Sequence, residues 1–262
     1  MTQRSQALQR DCHEDAMNED RRHVAHELEE LRTRLLAMGG LAEDHLRRAM
    51  RGLVDRNEFL LADVIAADVR IDDLQMEIDN RCFILLALHQ PVALDLRMLV
   101  STPRISADLE RIGDLAVNIS EVAQRYLLHP PVKPLIDLPR MGDLALKMLR
   151  EALDAFLSND VSLAKTVLRE DDWLDALKNQ VFREVLTHML GDPRTIEPGV
   201  DLILMSRHLE RVGDHATNIA EDVILIVEGR DVRHASAKPI ATTNQAGVPT
   251  IERRKDSRVF PV

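Results

Sequence analysis

Four pairs of carboxylates are the residues whose type and spacing could do chemistry in this sequence. Glu110 and Asp114 lie four residues apart, as do Glu210 and Asp214, and the same step separates Asp68 from Asp72 and Asp171 from Asp175. On a helix that step puts both groups on one face, a turn apart. Like charges so placed repel by roughly 0.2–0.5 kcal/mol. For a single Asp-x-x-x-Asp the ordinary reading is a solvated face, with Arg111 or Arg211 as partner in a surface ion pair of little energetic weight. Recurrence of the pairs at equivalent positions sets a cation site on an equal footing with that reading. A cation would relieve a repulsion that the bare fold carries. Oxygen ligands suit Mg²⁺, Ca²⁺, Mn²⁺ or iron better than a thiolate-type zinc site would.

The recurrence is a duplication. The run 109–121, Leu-Glu-Arg-Ile-Gly-Asp-Leu-Ala-Val-Asn-Ile-Ser-Glu, returns at 209–221 as Leu-Glu-Arg-Val-Gly-Asp-His-Ala-Thr-Asn-Ile-Ala-Glu. Self-similarity of this length marks two copies of one structural unit. At about 100° per residue, Leu109, Ile112, Ala116, Ile119 and Ala123 form an apolar stripe, as do Leu209, Val212, Ala216, Ile219 and Val223. Glu110, Asp114 and Glu121, with Glu210, Asp214 and Glu221, fall on a roughly opposite face. Gly113 and Gly213 sit between the faces, where a mid-helix glycine costs about 1 kcal/mol relative to Ala. A helix that carries this cost twice implies a close approach to its backbone.

The elements that must position these groups are long helices. The chain has 262 residues, 45% hydrophobic, 30% charged and only 3% aromatic, a composition that fits packed helices and argues against a sandwich or barrel. The formal net charge of −10 disfavours a nucleic-acid partner, whose phosphates are held by basic patches. The apolar runs at 83–88 and 223–227 are too short to span a bilayer, and residues 1–18 lack the apolar core of a signal peptide. Cys12 and Cys82 show no metal or redox spacing and read as reduced thiols of a cytosolic protein.

Taken in order, residues 1–21 read as a disordered or loosely helical leader, and 22–54 as one amphipathic helix that continues through Gly39-Gly40. A second helix from about 57 carries Asp68 and Asp72, and a third, entered through Pro91 as a first-turn proline, carries Glu110 and Asp114 to about 128. Pro103 predicts a kink near Ser101. The proline-rich stretch 130–137 separates the repeats, and 138–229 repeats the plan. There Leu174, Leu177 and Val181 answer Ile71, Leu74 and Ile78, which puts Asp171 and Asp175 in register with Asp68 and Asp72. Residues 230–262 read as a disordered tail. The expected fold is all-α, two tandem antiparallel three-helix bundles spanning 22–129 and 138–229, each bringing four carboxylates to a common groove.

Other chemistry is absent from the sequence. There is no Gly-rich phosphate loop, Gly-x-Ser-x-Gly or His-Glu-x-x-His. A di-iron carboxylate enzyme would want Glu-x-x-His facing a bundle core, whereas Gly113 and Gly213 occupy the third position after each Glu. His215 reads as an ordinary partly exposed histidine, Asn118 and Asn218 as hydrogen-bonding within or between helices, and Trp173 as packing. Gln90, Asp95 and Arg97 read equally well as a corner facing a partner or as capping and helix-pairing groups.

The doubled Leu-Glu-Arg-Ile/Val-Gly-Asp-x-Ala-x-Asn-Ile motif resembles the signature of the PhoU family. The resemblance extends to Gln90-Pro91-Val92-Ala93-x-Asp95-Leu96-Arg97, Met38-Gly39 and Gly229, and covers roughly 22–230. It implies two three-helix bundles with surface metal on Glu110, Asp114, Glu210 and Asp214, joined by Asp68, Asp72, Asp171 and Asp175. The metal would be iron, manganese, magnesium or zinc, divalent or trivalent. His208 replaces Asp108 beside the second motif, so the two sites need not be alike. The resemblance also implies a cytosolic, dimeric adaptor that couples a phosphate ABC transporter ATPase to a membrane sensor histidine kinase and keeps the phosphate-starvation response off. A helical metal store or a metal-dependent phosphatase are the alternatives, the latter lacking any catalytic constellation in the sequence.

Overall fold

The computed structural model describes residues 3–89, 91–233, 242–243 and 249–250, with side chains described between Val24 and Arg233. Among the described residues seven α-helices carry the fold: α1 (Gln3–Val54), α2 (Glu58–Ala67), α3 (Val69–His89), α4 (Ala93–Leu127), α5 (Asp137–Ser158), α6 (Val161–Gly191) and α7 (Ile196–Glu228). A 3-10 turn, Pro193–Thr195, precedes α7. The fold class is all-α, with α1 to α4 and α5 to α7 forming the two halves. In the first half α4 packs on α1, α2 and α3, and in the second α7 packs on α5 and α6. The halves meet along α4–α7 and α1–α5, and one hydrophobic cluster runs through both.

Local signals set these boundaries. The Asn57 side chain accepts a hydrogen bond from the Leu60 amide at the start of α2, and Asp160 accepts from the amides of Ser162 and Leu163 at the start of α6. Such caps satisfy amides that have no intrahelical acceptor. Gly229, at φ +68°, ends α7, and the Arg97 guanidinium lies across it while Nε donates to the Ile226 carbonyl at 2.8 Å. Arg97 therefore caps a helix of the other half. Within the first half Arg56 caps α4, donating to the carbonyls of Leu127 at 2.7 Å and His129 at 3.1 Å.

Several sequence expectations are corrected. Of the two forms read for the leader, disordered or loosely helical, residues 3–21 take the helical one and continue α1; the segment is rich in helix formers and contains neither Gly nor Pro. The expected second helix is two: the i to i−4 pattern lapses at Asp68, whose carbonyl accepts from the Ile71 amide at 2.8 Å. Pro91 lies ahead of α4 rather than in its first turn, and Val92 is the residue before the helix. As expected of the third helix, α4 runs on through Pro103. Within the expected tail, 230–233 fold back, with Val232 against the core and Arg233 facing Asp222. Short strands β1 (Thr242–Thr243) and β2 (Pro249–Thr250) pair antiparallel, and the rest of 234–262 lies outside the described residues.

The halves are joined by polar contacts as well as apolar ones. Along antiparallel α4 and α7, Arg125 meets Asp201 at 3.1 Å, Arg104 meets Asp222 at 3.5 Å, and Asp108 accepts from Asn218 at 3.0 Å. Where α1 crosses α5 the contact is reciprocal: Gly39 lies against Leu153, and Gly142 lies against Met50. Among the described residues no helix is long and apolar enough to cross a membrane.

Candidate functional site

The motif helices bury the stripe read from the sequence. Leu109, Ile112, Ala116 and Ile119 on α4, and Leu209, Val212, Ala216 and Ile219 on α7, are fully inaccessible. That orientation turns Glu110 and Asp114 toward α3, and Glu210 and Asp214 toward α6. Gly113 and Gly213 explain how close the neighbours come. A Cβ on Gly113 would lie 2.9 Å from Ile71 Cδ1 and 3.0 Å from Asp68 Oδ1. One on Gly213 would collide with Leu174 and stand 3.5 Å from Asp171 Oδ1. The close approach inferred from the glycines is therefore that of the adjacent helix, which carries its aspartate with it.

Each half thus gathers its four carboxylates. Burial, followed by the charges of Asp72, Asp114 and Glu110, pushes Asp68 up to about 6. In the second half burial, then Asp214, Asp175 and Glu210, push Asp171 up to about 6 as well. Glu110 is raised by burial and then by Asp114, against a downward pull from Arg111, and Asp214 is raised by burial, Glu210 and Asp175. Crowded, half-buried acids of this kind are held at a cost that a cation offsets. The side chains nonetheless stand apart: among the described residues no group of three or more His, Cys, Asp or Glu is placed to hold a metal ion.

Resident cations hold part of each set. Arg111 bonds Asp114 at 3.0 Å and lies 3.5 Å from Glu110, as the ordinary reading of the sequence has it. In the second half the cation is Lys178 on α6, which bridges Asp175 at 2.7 Å and Glu210 at 2.8 Å. Sequence reading missed Lys178, whose register partner in the first half is Gln75. It also missed His45 on α1. That ring is buried, with Nδ1 3.7 Å from Asp68 Oδ1, and neither atom has a hydrogen-bond partner. Aligning Met38-Gly39 with Met141-Gly142 would have set His45 against Met148 and exposed the difference. Asp68 Oδ1 is thus buried beside the other acids of its half without a hydrogen-bond partner.

The remaining candidates fall into place. His215 is tied to Asp108, Nδ1 to Oδ1 at 2.7 Å, and Asn218 donates to the same oxygen, so both join helices of different halves. His208, at the position matching Asp108, is lowered by burial and by Arg211, Arg207 and Arg125. Trp173 is 71% exposed and does not pack in the core, because α6 buries Leu174 beside it. Arg97 is a capping group. Cys82 is a buried free thiol pushed up to about 12 by burial and Asp79, which makes it inert.

Comparison with known proteins agrees with this architecture. The family model described as PhoU domain matches residues 35–123 and 138–223, one match in each half. A Pseudomonas putida protein, a phosphate-specific transport system accessory protein PhoU homolog, is 39% identical over 234 residues, covering 85% of this chain and 91% of the relative. The Pseudomonas aeruginosa homolog of the same description is 42% identical over 212 residues, 79% of this chain and 86% of the relative. The crystal structure of PhoU from Pseudomonas aeruginosa superposes with a TM-score of 0.76 at 39% identity, covering 79% of this chain and 99% of that one. That of the phosphate transport system regulatory protein PhoU from Streptococcus pneumoniae gives 0.74 at 28%, covering 80% and 99%. With matches to both halves and relatives near 40% identity over most of its length, the chain is a member of the PhoU family.

Proposed function

We propose that this chain is an accessory regulator of phosphate transport, a cytosolic, non-catalytic adaptor whose metal-bearing acidic faces dock on partners. Relatives described as phosphate-specific transport system accessory proteins match it over most of its length, which supports the transport part of this reading. The observation that carries the reading is the matched gathering of Asp68, Asp72, Glu110 and Asp114 in one half and Asp171, Asp175, Glu210 and Asp214 in the other. These residues would hold an iron, manganese, magnesium or zinc ion. The ion would neutralise the crowded oxygens and offer open positions to phosphate or to a partner's groups. The partners are the ATPase of a phosphate ABC transporter and a sensor histidine kinase, with the regulator acting negatively on uptake and on the starvation response, and as a homodimer.

The test is co-purification of the full chain with those two membrane partners, before and after Glu110→Lys with Asp114→Lys. The expected outcome is loss of capture on charge reversal, with helicity kept. Capture that survives the reversal removes the acidic face from the mechanism. Steady release of phosphate from an ester by the metal-loaded chain would instead support the phosphatase alternative.

A further inference from the structure

We propose that the second half binds a tetrahedral dianion of the phosphate type at the α4–α7 seam, on His208, Arg207 and Arg211 of α7 and Arg125 of α4. The site takes an anion where the acidic faces would take a cation, and it does not rest on that reading. His208 Nδ1 is buried and has no hydrogen-bond partner. Buried polar atoms are nearly always satisfied, so an orphaned ring nitrogen points to a ligand that completes it. After burial, the groups that act on this ring are Arg211, Arg207 and Arg125, all of them cations.

Arg207 and Arg211 lie four residues apart, on one face of α7 a turn from each other, and both are exposed. Neither forms an ion pair among the described residues. The duplication explains why. Arg111, the counterpart of Arg211, is taken up by Asp114 and Glu110, whereas in the second half Lys178 takes Glu210. Arg207 has no first-half equivalent, since Ala107 stands there. Arg125 bonds Asp201 at 3.1 Å through one nitrogen and brings its remaining N–H groups to the seam from the other helix.

The first half shows what such a position holds. There Asp108, which matches His208, carries a carboxylate that His215 Nδ1 meets at 2.7 Å and to which Asn218 donates at 3.0 Å. Because α4 and α7 run antiparallel, the repeat sets Asn118 opposite His208 as Asn218 is set opposite Asp108. The anion that one copy carries in its own chain is thus replaced in the other by a further donor. Guanidinium groups grip tetrahedral oxyanions through paired N–H bonds, and a neutral imidazole adds one N–H. Three such groups and a ring suit a dianion with four oxygens better than a halide or a single carboxylate.

The full chain, stripped of metal, is titrated calorimetrically with inorganic phosphate and separately with O-phosphoserine, at constant ionic strength. Saturable binding is expected, and the tighter of the two ligands names the source, a free ion or a phosphoryl group carried on another molecule. Arg207→Gln with Arg211→Gln, altered only at exposed positions, should lose at least about tenfold in affinity. Arg111→Gln, at the equivalent position of the first half, should change it by less than about twofold. Phosphate should also shift the His208 ring resonances of the unsubstituted protein, a reading that needs no variant to fold. Binding of neither ligand overturns the proposal, as does unchanged affinity in the double variant or an unmoved His208 resonance. Phosphate that binds only once Mg²⁺ or Zn²⁺ is added overturns it too, while supporting metal on the acidic faces.

Discussion

At the scale of single residues, glycines and acids reveal what the helices give up to come together. Gly213→Ala gains helix propensity worth about 1 kcal/mol but drives a methyl into Leu174, and such overpacking costs about 1–3 kcal/mol. The expected net is a loss of about 1 kcal/mol, visible as a lower urea midpoint. Gly40→Ala meets nothing within 4 Å and should stabilise by about 0.5–1 kcal/mol in the same assay. The acids predict a pH dependence. Asp68, Asp171 and Asp222 stand at about 6 in the fold against an ordinary 3.8, in each case chiefly through burial. Groups raised in this way bind protons more tightly folded than unfolded, so the fold gains stability as pH falls from about 6 towards 4. Glu184, held down at about 2 by Lys133, acts in the opposite sense as pH falls below about 4.5. The metal-free melting temperature should therefore be higher at pH 5 than at pH 7.5, and Asp68→Asn with Asp171→Asn should flatten the difference.

At the scale of elements, capping links the two halves more tightly than their sequences suggest. Arg97→Ala removes the guanidinium from the end of α7 and should cost about 1–2 kcal/mol. Amide exchange should quicken first at 226–229. The motif helices, their buried stripes and the pairing of α3 with α4 and α6 with α7 were legible in the sequence because period and polar spacing recur together. The break at Asp68 was not, since the apolar period of Leu61, Val64 and Ile71 runs across it. Lys178 and His45 also escaped notice, because each differs from its register partner by one residue on a helix that carries no motif. Trp173 was misassigned for a related reason: one position of rotation separates it from buried Leu174.

At the scale of the molecule, two bundles in sequence have become one body in space. α4–α7 and α1–α5 bury faces that a lone half would expose, including Gly39 against Leu153 and Met50 against Gly142. Heating should therefore give one cooperative transition by calorimetry, and a fragment cut in the 128–136 linker should bind a hydrophobic dye strongly or aggregate.

The contacts across α4 and α7 are one-sided. Asp108 has His215 and Asn218 to hold it, while the mirror position offers His208 opposite Leu115 and Asn118; Arg104–Asp222 and Arg125–Asp201 likewise answer to Leu204–Val122 and Leu225–Ser101. Two first halves fused together would strand an aspartate beside a leucine, and two second halves would set histidine against histidine. What began as copies has diverged into a left and a right, and neither can stand in for the other. A partner approaching this protein meets a body with a fixed heading, so its two ends present different surfaces.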